Sequence, residues 1–109
     1  MKLARRLTVL CSMGIFARHA ATIVRTLAIE AHDHVVTFAA DGREVDAKSI
    51  LGILGLEACE GRELLVTVNG PEAQRVLDRI TELFDCGFEI DRGKLPRPAA
   101  HDETTILEP

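Results

Sequence analysis

The fold class is decided by a β-hairpin signal near the middle of the chain, Val35-Val36-Thr37-Phe38-Ala39-Ala40-Asp41-Gly42-Arg43-Glu44-Val45-Asp46-Ala47. Its first six residues are rich in side chains that favour strands. Asp41-Gly42 is a dipeptide typical of two-residue hairpin turns, so residues 43–47 are expected to return as the partner strand. The stretch therefore predicts an antiparallel pair of strands.

The residues before this hairpin predict a strand followed by a helix. From Leu3 to Cys11 apolar and polar residues alternate, a pattern typical of a half-buried strand. After a break at residues 12–14, small and aliphatic residues recur at helical spacing, which predicts a helix over about residues 16–29. Its expected core-facing residues are Ala17, Ala20, Ala21, Val24, Leu27 and Ala28.

The residues after the hairpin predict a short helix, a strand and a long amphipathic helix. The short helix is expected to open at Ser49, whose hydroxyl can cap the free backbone amides of residues 50–52. The strand is expected over residues 62–69. The last helix is expected between Pro71, which suits a first helical position, and Gly87, which suits a C-terminal stop. Its buried stripe comprises Ala73, Val76, Leu77, Ile80, Leu83 and Phe84.

The element order is β-α-β-β-α-β-α, which does not fit repeated βαβ units. We therefore predict an α+β fold, an open-faced sandwich in which a four-stranded antiparallel sheet is covered on one face by three helices. Residues 1–90 are expected to form this domain. Residues 91–109 carry three of the four prolines and are expected to form a tail that packs loosely or not at all.

The composition is that of an ordinary globular protein. The 109 residues, 47% apolar and 28% charged, are enough for one domain. The net charge of −4, the scattered basic residues and the absence of Trp and Tyr disfavour a nucleic-acid or anionic-membrane surface. Because no apolar stretch has the length of a membrane span or the character of a signal peptide, we expect a cytoplasmic protein.

The cysteines and histidines predict neither a disulfide framework nor a metal site. His32 and His34 flank Asp33, but no third ligand lies nearby in the sequence, so a surface loop is expected there. We expect no metal and no cofactor. The three cysteines lack Cys-x-x-Cys spacing and are expected to be free thiols: Cys11, Cys59 and Cys86.

Two junctions before helices carry residues suited to phosphate chemistry. Residues 13–21 join a strand to a helix through a glycine, and Arg18 adds a cation in the first turn, so this junction is a candidate anion site. In residues 46–52 the capping hydroxyl of Ser49 follows Lys48, and a phosphate there would gain from the helix dipole and the lysine. Considered alone, Arg18 could equally be a solvated surface side chain, and Ser49 could equally be a helix cap with no further role.

The order and spacing of the two junctions resemble HPr, the histidine-containing phosphocarrier family of the bacterial phosphoenolpyruvate-dependent sugar phosphotransferase system, over about residues 1–90. Gly14-Ile15-Phe16-Ala17-Arg18-His19-Ala20 is similar to the family's Gly-Leu-His-Ala-Arg-Pro-Ala, and Ala47-Lys48-Ser49-Ile50-Leu51-Gly52 matches its regulatory-serine motif. The resemblance implies the same four-stranded sheet under three helices. It also implies phosphate binding at Ala17 and Arg18.

The chain departs from this family at the residue that carries the phosphoryl group. The family's carrier histidine corresponds to Phe16, and a phenyl ring has no nucleophile. His19 stands where the family usually has proline and is the nearest substitute. It lies one helical turn further along, about 5 Å along the axis, and in-line transfer tolerates little displacement. We therefore expect His19 to be an exposed helix residue rather than the carrier.

These features favour a non-enzymatic regulatory or adaptor protein, similar to the catabolite-repression homologue of HPr, which also lacks that histidine. The resemblance implies phosphorylation of Ser49 by an HPr kinase and partner docking through Ile50, Leu51 and Leu54. The implied partners are enzyme I and HPr kinase, or a regulatory protein. Two alternatives remain open: a carrier that accepts phosphate from enzyme I through His19, and an interaction module that keeps only the fold.

Overall fold

The computed structural model describes residues 1–9, 17–56, 61–85 and 105–108. The predicted order β-α-β-β-α-β-α is confirmed, and a further strand follows it. Among the described helices, none is both long and apolar enough to cross a membrane. The elements are β1 (Lys2–Thr8), α1 (Ala17–Glu30), β2 (Val35–Ala40), β3 (Arg43–Asp46), α2 (Ile50–Gly55), β4 (Glu63–Asn69), α3 (Ala73–Asp85) and β5 (Thr105–Glu108).

The sheet is antiparallel, with the strand order β3-β2-β4-β1-β5. The predicted hairpin is confirmed: β2 and β3 are joined by Asp41 and Gly42, whose φ angles of 51° and 78° are both positive, as a type I′ turn requires. This turn fixes the register, which places Phe38 opposite Val45. The hairpin thus forms one side of the sheet, and β1 lies towards the other.

The core lies between one face of the sheet and the helices. On β4 the predicted face is confirmed, since Leu64, Val66 and Val68 are fully buried while their neighbours are not. The predicted stripe of α3 is also buried along its whole length. Phe84 of α3 meets Phe38 of β2 edge to face, with ring centroids 5.9 Å apart and planes at 78°. α3 is therefore packed directly on the sheet.

The buried face of α1 differs from the predicted one. Ala20 and Leu27 are buried as expected, but Ala28 is exposed and Ile23 is fully buried. Residues 20, 23 and 27 follow i, i+3, i+7 spacing, so they share one face of the helix. Burial of the larger Ile23 sets the rotation of α1 and turns Ala28 outward.

The ends of α3 and of β1 also bear on the predictions. α3 begins at Ala73, two residues after Pro71, so the expectation that Pro71 occupies the first helical position is wrong. The proposed stop at Gly87 lies outside the described residues. The same is true of the end of the first predicted strand and of all three cysteines.

Part of the tail joins the sheet, so the expectation of a loosely packed tail is wrong for residues 105–108. β5 pairs antiparallel with β1, with Thr105 opposite Ala4 and Ile106 opposite Leu3. The predicted four-stranded sheet is present and gains a fifth strand at its edge. Four residues are too few for a period-2 pattern to stand out from the surrounding sequence.

Candidate functional site

The first candidate phosphate site lies at the start of α1. The helix begins at Ala17, so Arg18 occupies its first turn, and the Arg18 side chain is exposed. Amide groups in a first turn have no partner within the helix, and together with a guanidinium they suit an anion. The strand-to-helix connection at residues 10–16, Phe16 included, lies outside the described residues, as does the side chain of Ala17.

His19 is buried, so the expectation of an exposed helix residue is wrong. Only 3% of its surface is exposed. His19 lies four residues before Ile23 and therefore on the same side of α1, the side that Ile23 turns towards the core. An imidazole in this position has little access to a phosphoryl donor on another protein, which argues against His19 as a carrier.

Ser49 is the N-cap of α2, as predicted. Its backbone is extended, with φ −114° and ψ 115°, and its Oγ accepts a hydrogen bond from the Gly52 amide at 3.1 Å. The Ile53 amide donates to the Ser49 carbonyl oxygen at 3.0 Å. The residue is half-buried. The hydroxyl is therefore held in one place at the start of the helix.

Gly52 provides the space that this cap needs. A Cβ at Gly52 would lie 3.3 Å from both Cβ and Oγ of Ser49 and 3.2 Å from Cβ of Val45. These distances are shorter than ordinary van der Waals contacts. The glycine of the serine motif thus lets α2 approach β3 closely while the Ser49 hydroxyl stays in its capping position.

The ammonium group of Lys48 is hydrogen-bonded to the backbone of the connection between α1 and β2. Its Nζ donates to the carbonyl oxygens of His34 at 2.5 Å and of His32 at 3.3 Å. Its backbone amide donates to Asp46 Oδ1 at 2.9 Å. A phosphate on Ser49 would compete with these two carbonyls for the ammonium group, because a charged acceptor binds a cation more strongly than a neutral one.

An exposed apolar patch, formed by Ile50, Leu51 and Leu54, adjoins Ser49. Leu51 is 82% exposed and Ile50 is 39% exposed, whereas Leu54 is half-buried against the core. Ile53, on the opposite side, is buried and anchors α2. A short anchored helix that presents aliphatic side chains to solvent is typical of an interaction surface. α2 also packs against α1, the helix that carries Arg18.

His34 was expected in a surface loop, but its side chain is fully buried. Its Nε2 accepts a hydrogen bond from the Glu72 amide at 3.1 Å. Since an amide can only donate, the ring proton resides on Nδ1, which donates to Asp33 Oδ1 at 2.8 Å. The neutral imidazole thus caps the residue that precedes α3 and joins the α1–β2 connection to that helix.

The surroundings of His34 explain why sequence reasoning missed it. Its ring packs on Gly70, and its partner Glu72 is 38 residues away, so no local pattern reveals the contact. The pKa of Asp33 is lowered, first by a backbone hydrogen bond and then by the contact with His34. His32 is exposed. In the described part of the chain, no group of three or more His, Cys, Asp or Glu is placed to hold a metal ion.

Comparisons with known proteins agree with this architecture. The profile of a family described as the PTS HPr component phosphorylation site matches residues 3–85. The phosphocarrier protein HPr of Chlamydia pneumoniae is 44% identical over 75 residues, which cover 69% of this chain and 68% of that protein. Relatives from Chlamydia pneumoniae, Xylella fastidiosa and Shewanella violacea are named as phosphocarrier proteins, and a phosphocarrier is not a turnover enzyme, as the sequence predicted.

Two solved structures have the same fold. The phosphocarrier protein HPr of Bacillus anthracis superimposes with a TM-score of 0.70 and 28% identity, over 76% of this chain and 96% of that one. Crh, the Bacillus subtilis catabolite repression containing protein, superimposes with a TM-score of 0.57 and 29% identity, over 67% of this chain and 80% of that one. The open-faced sandwich predicted from the sequence is confirmed, and the chain belongs to the HPr family of phosphocarrier proteins of the phosphotransferase system (PTS).

Proposed function

We propose that this protein is a regulatory or adaptor member of the family, which signals through Ser49 and does not carry phosphoryl groups on a histidine. The proposal rests on a contrast between the segment that precedes α1 and the segment that precedes α2. At the first, the sequence resemblance puts Phe16 where the family has its carrier histidine, and the nearby imidazole of His19 is buried. At the second, Ser49 keeps its motif, its capping geometry and a neighbouring apolar patch.

The proposed modification is the transfer of the γ-phosphoryl group of ATP to Ser49 by an HPr kinase. The new bond joins the phosphorus to Oγ, the bond from that phosphorus to ADP breaks, and the serine proton is released. The product adds a charge of about −2 beside the first turn of α2. Support comes from the Gly52 amide, which already donates to this oxygen. We place the reaction in the cytoplasm, the compartment that supplies ATP.

The apolar patch is the proposed docking surface for a partner protein, either enzyme I, HPr kinase or a regulatory protein. Its two exposed side chains, Ile50 and Leu51, directly follow Ser49 in the sequence. Burying them against a partner would also bring Ser49 close to that partner. A charge on Ser49 would then have to lose its hydration or be paired with a positive charge of the partner. Phosphorylation would therefore change the affinity of this protein for the partner.

We expect Ser49→Asp to weaken docking of enzyme I about tenfold relative to Ser49→Asn. Asp and Asn have nearly the same shape, and both cap helices well, so the pair isolates the added charge from any loss of the cap. The measurement is isothermal titration of each folded variant with enzyme I. Equal affinities of enzyme I for Ser49→Asp and Ser49→Asn would remove the proposed switch.

Intact-mass analysis should separate the regulator from a carrier. After incubation with ATP and an HPr kinase, we expect one acid-stable phosphate on the native protein and none on Ser49→Ala. After incubation with phosphoenolpyruvate and enzyme I, we expect no added phosphate, because His19 is buried. An acid-labile phosphate that His19→Ala lacks would instead establish the carrier. If neither donor modifies a protein that still binds a partner, only the interaction module remains.

A further inference from the structure

The outer edge of β1 is covered by a segment that lies beyond the part of the chain matched by the family. The family profile ends at residue 85, whereas β5 spans residues 105–108. The match to the Bacillus anthracis protein covers 96% of that protein but only 76% of this chain. Without β5, β1 would be the last strand on its side of the described sheet. This edge therefore has an occupant that the family fold does not require.

The backbone pattern shows which groups of β1 face β5. The Val9 amide donates to the Arg62 carbonyl oxygen, which continues the β1–β4 ladder. Backbone groups of alternate residues point to opposite sides of a strand, so the odd-numbered residues of β1 face β4. The even-numbered residues, including Lys2 and Ala4, direct their N–H and C=O groups to the outer edge.

The register of β5 supplies partners for these groups. Thr105 lies directly opposite Ala4, so the two residues form a hydrogen-bonded pair of the antiparallel ladder. Ile106 lies opposite Leu3, whose backbone faces β4, so the Ile106 N–H points away from β1. An irregularity in the register follows, and Glu108 then lies opposite Lys2. Pairing by backbone groups alone requires only an extended segment.

We propose that the outer edge of β1 is a strand-addition surface, whose occupant in this structure is the chain's own segment 105–108. An open edge presents unpaired backbone groups that invite pairing with another chain, and this segment fills them. Residues 86–104 span up to about 60 Å when extended, more than the 37 Å longest dimension of the molecule. The proposal does not depend on the function of Ser49.

Two proline variants of the full chain test the pairing. Thr105→Pro removes the N–H that faces Ala4, whereas Ile106→Pro removes one that points away from β1, so the second is a matched control. We expect hydrogen exchange at the Ala4 amide, followed by NMR, to accelerate about tenfold or more in Thr105→Pro and to change little in Ile106→Pro. Equal exchange rates at Ala4 in Thr105→Pro and the native protein would overturn the pairing.

A synthetic peptide of residues 102–109, added at up to millimolar concentration, tests whether the edge is a surface for strand addition. We expect it to restore slow exchange at Ala4 in Thr105→Pro and to leave the native protein, whose edge is already filled, unchanged. The amides of the β2–β4 pairing, which lies away from this edge, serve as an internal reference. Failure of the peptide to slow exchange at Ala4 would show that the edge does not take an extended segment.

Discussion

Phe16→His should enable the protein to accept a phosphoryl group from enzyme I, which we expect the native protein not to do. The new imidazole would stand directly before α1, with the exposed guanidinium of Arg18 two residues further on. In the transfer, the bond between the phosphorus and its group on phosphorylated enzyme I breaks and a P–N bond to the new ring forms, so no other reactant is needed. Arg18 and the first-turn amides would stabilise the transferred charge.

Intact-mass analysis after incubation with phosphoenolpyruvate and enzyme I measures this gain, with the native protein as the control. The phosphate should be lost in acid, as expected of phosphohistidine. Adding Arg18→Ala to Phe16→His should slow the transfer by about a hundredfold. If Phe16→His stays unmodified while circular dichroism shows it folded, the first junction has diverged from a carrier site by more than one residue.

Gly70→Ala should destabilise the fold more than Gly52→Ala, the change at the other described glycine where an added Cβ would be crowded. A Cβ at Gly70 would overlap Cδ2 of His34 and would lie 2.7 Å from its Cγ and 2.9 Å from its Nε2. The ring cannot turn aside cheaply, because it is fully buried and both of its nitrogens are hydrogen-bonded. We expect a loss of about 3 kcal/mol in the free energy of unfolding, from overpacking and the weakened bond to the Glu72 amide.

Urea denaturation of four variants beside the native protein tests this prediction. Gly55→Ala is the matched control, because a Cβ there meets nothing within 4 Å, and its midpoint should stay near the native value. Gly70→Ala combined with His34→Ala should be less destabilised than the sum of the two single changes, since the second change removes the ring that clashes. Additive losses, or equal midpoints for Gly70→Ala and Gly55→Ala, would contradict the role assigned to His34.

The parts of the fold that sequence reasoning predicted are those fixed by local chemistry. The Asp41-Gly42 turn needs two positive φ angles, and few dipeptides supply them. The α3 stripe has helical spacing over more than three turns. In α1, by contrast, small residues on several sides left the rotation undetermined, and Ile23 decided it through packing. The β1–β5 pairing joins segments far apart in the sequence, so no local pattern could indicate it.

The contacts of the candidate site likewise fall into local ones, which the sequence predicted, and long-range ones, which it did not. The cap at Ser49 was predictable because its hydroxyl binds an amide three residues away. The partners of Lys48 and His34 were not, because these side chains contact backbone atoms 14 to 38 residues distant. Burial of His19 follows from the same rotation of α1. The roles of Ser49 and Phe16 in phosphoryl chemistry stay predictions that the experiments above address.

The position of β1 in the sheet constrains when the domain can form during synthesis. β1 is made before the other described elements, yet its neighbours are β4 and β5, which are made much later. The nascent chain must therefore carry an unpaired β1 until residues 63–69 have left the ribosome. Contacts between such distant segments slow folding and prolong the exposure of apolar surface. Chaperones that bind exposed apolar surface would accordingly act on this protein mainly before β4 and α3 have emerged.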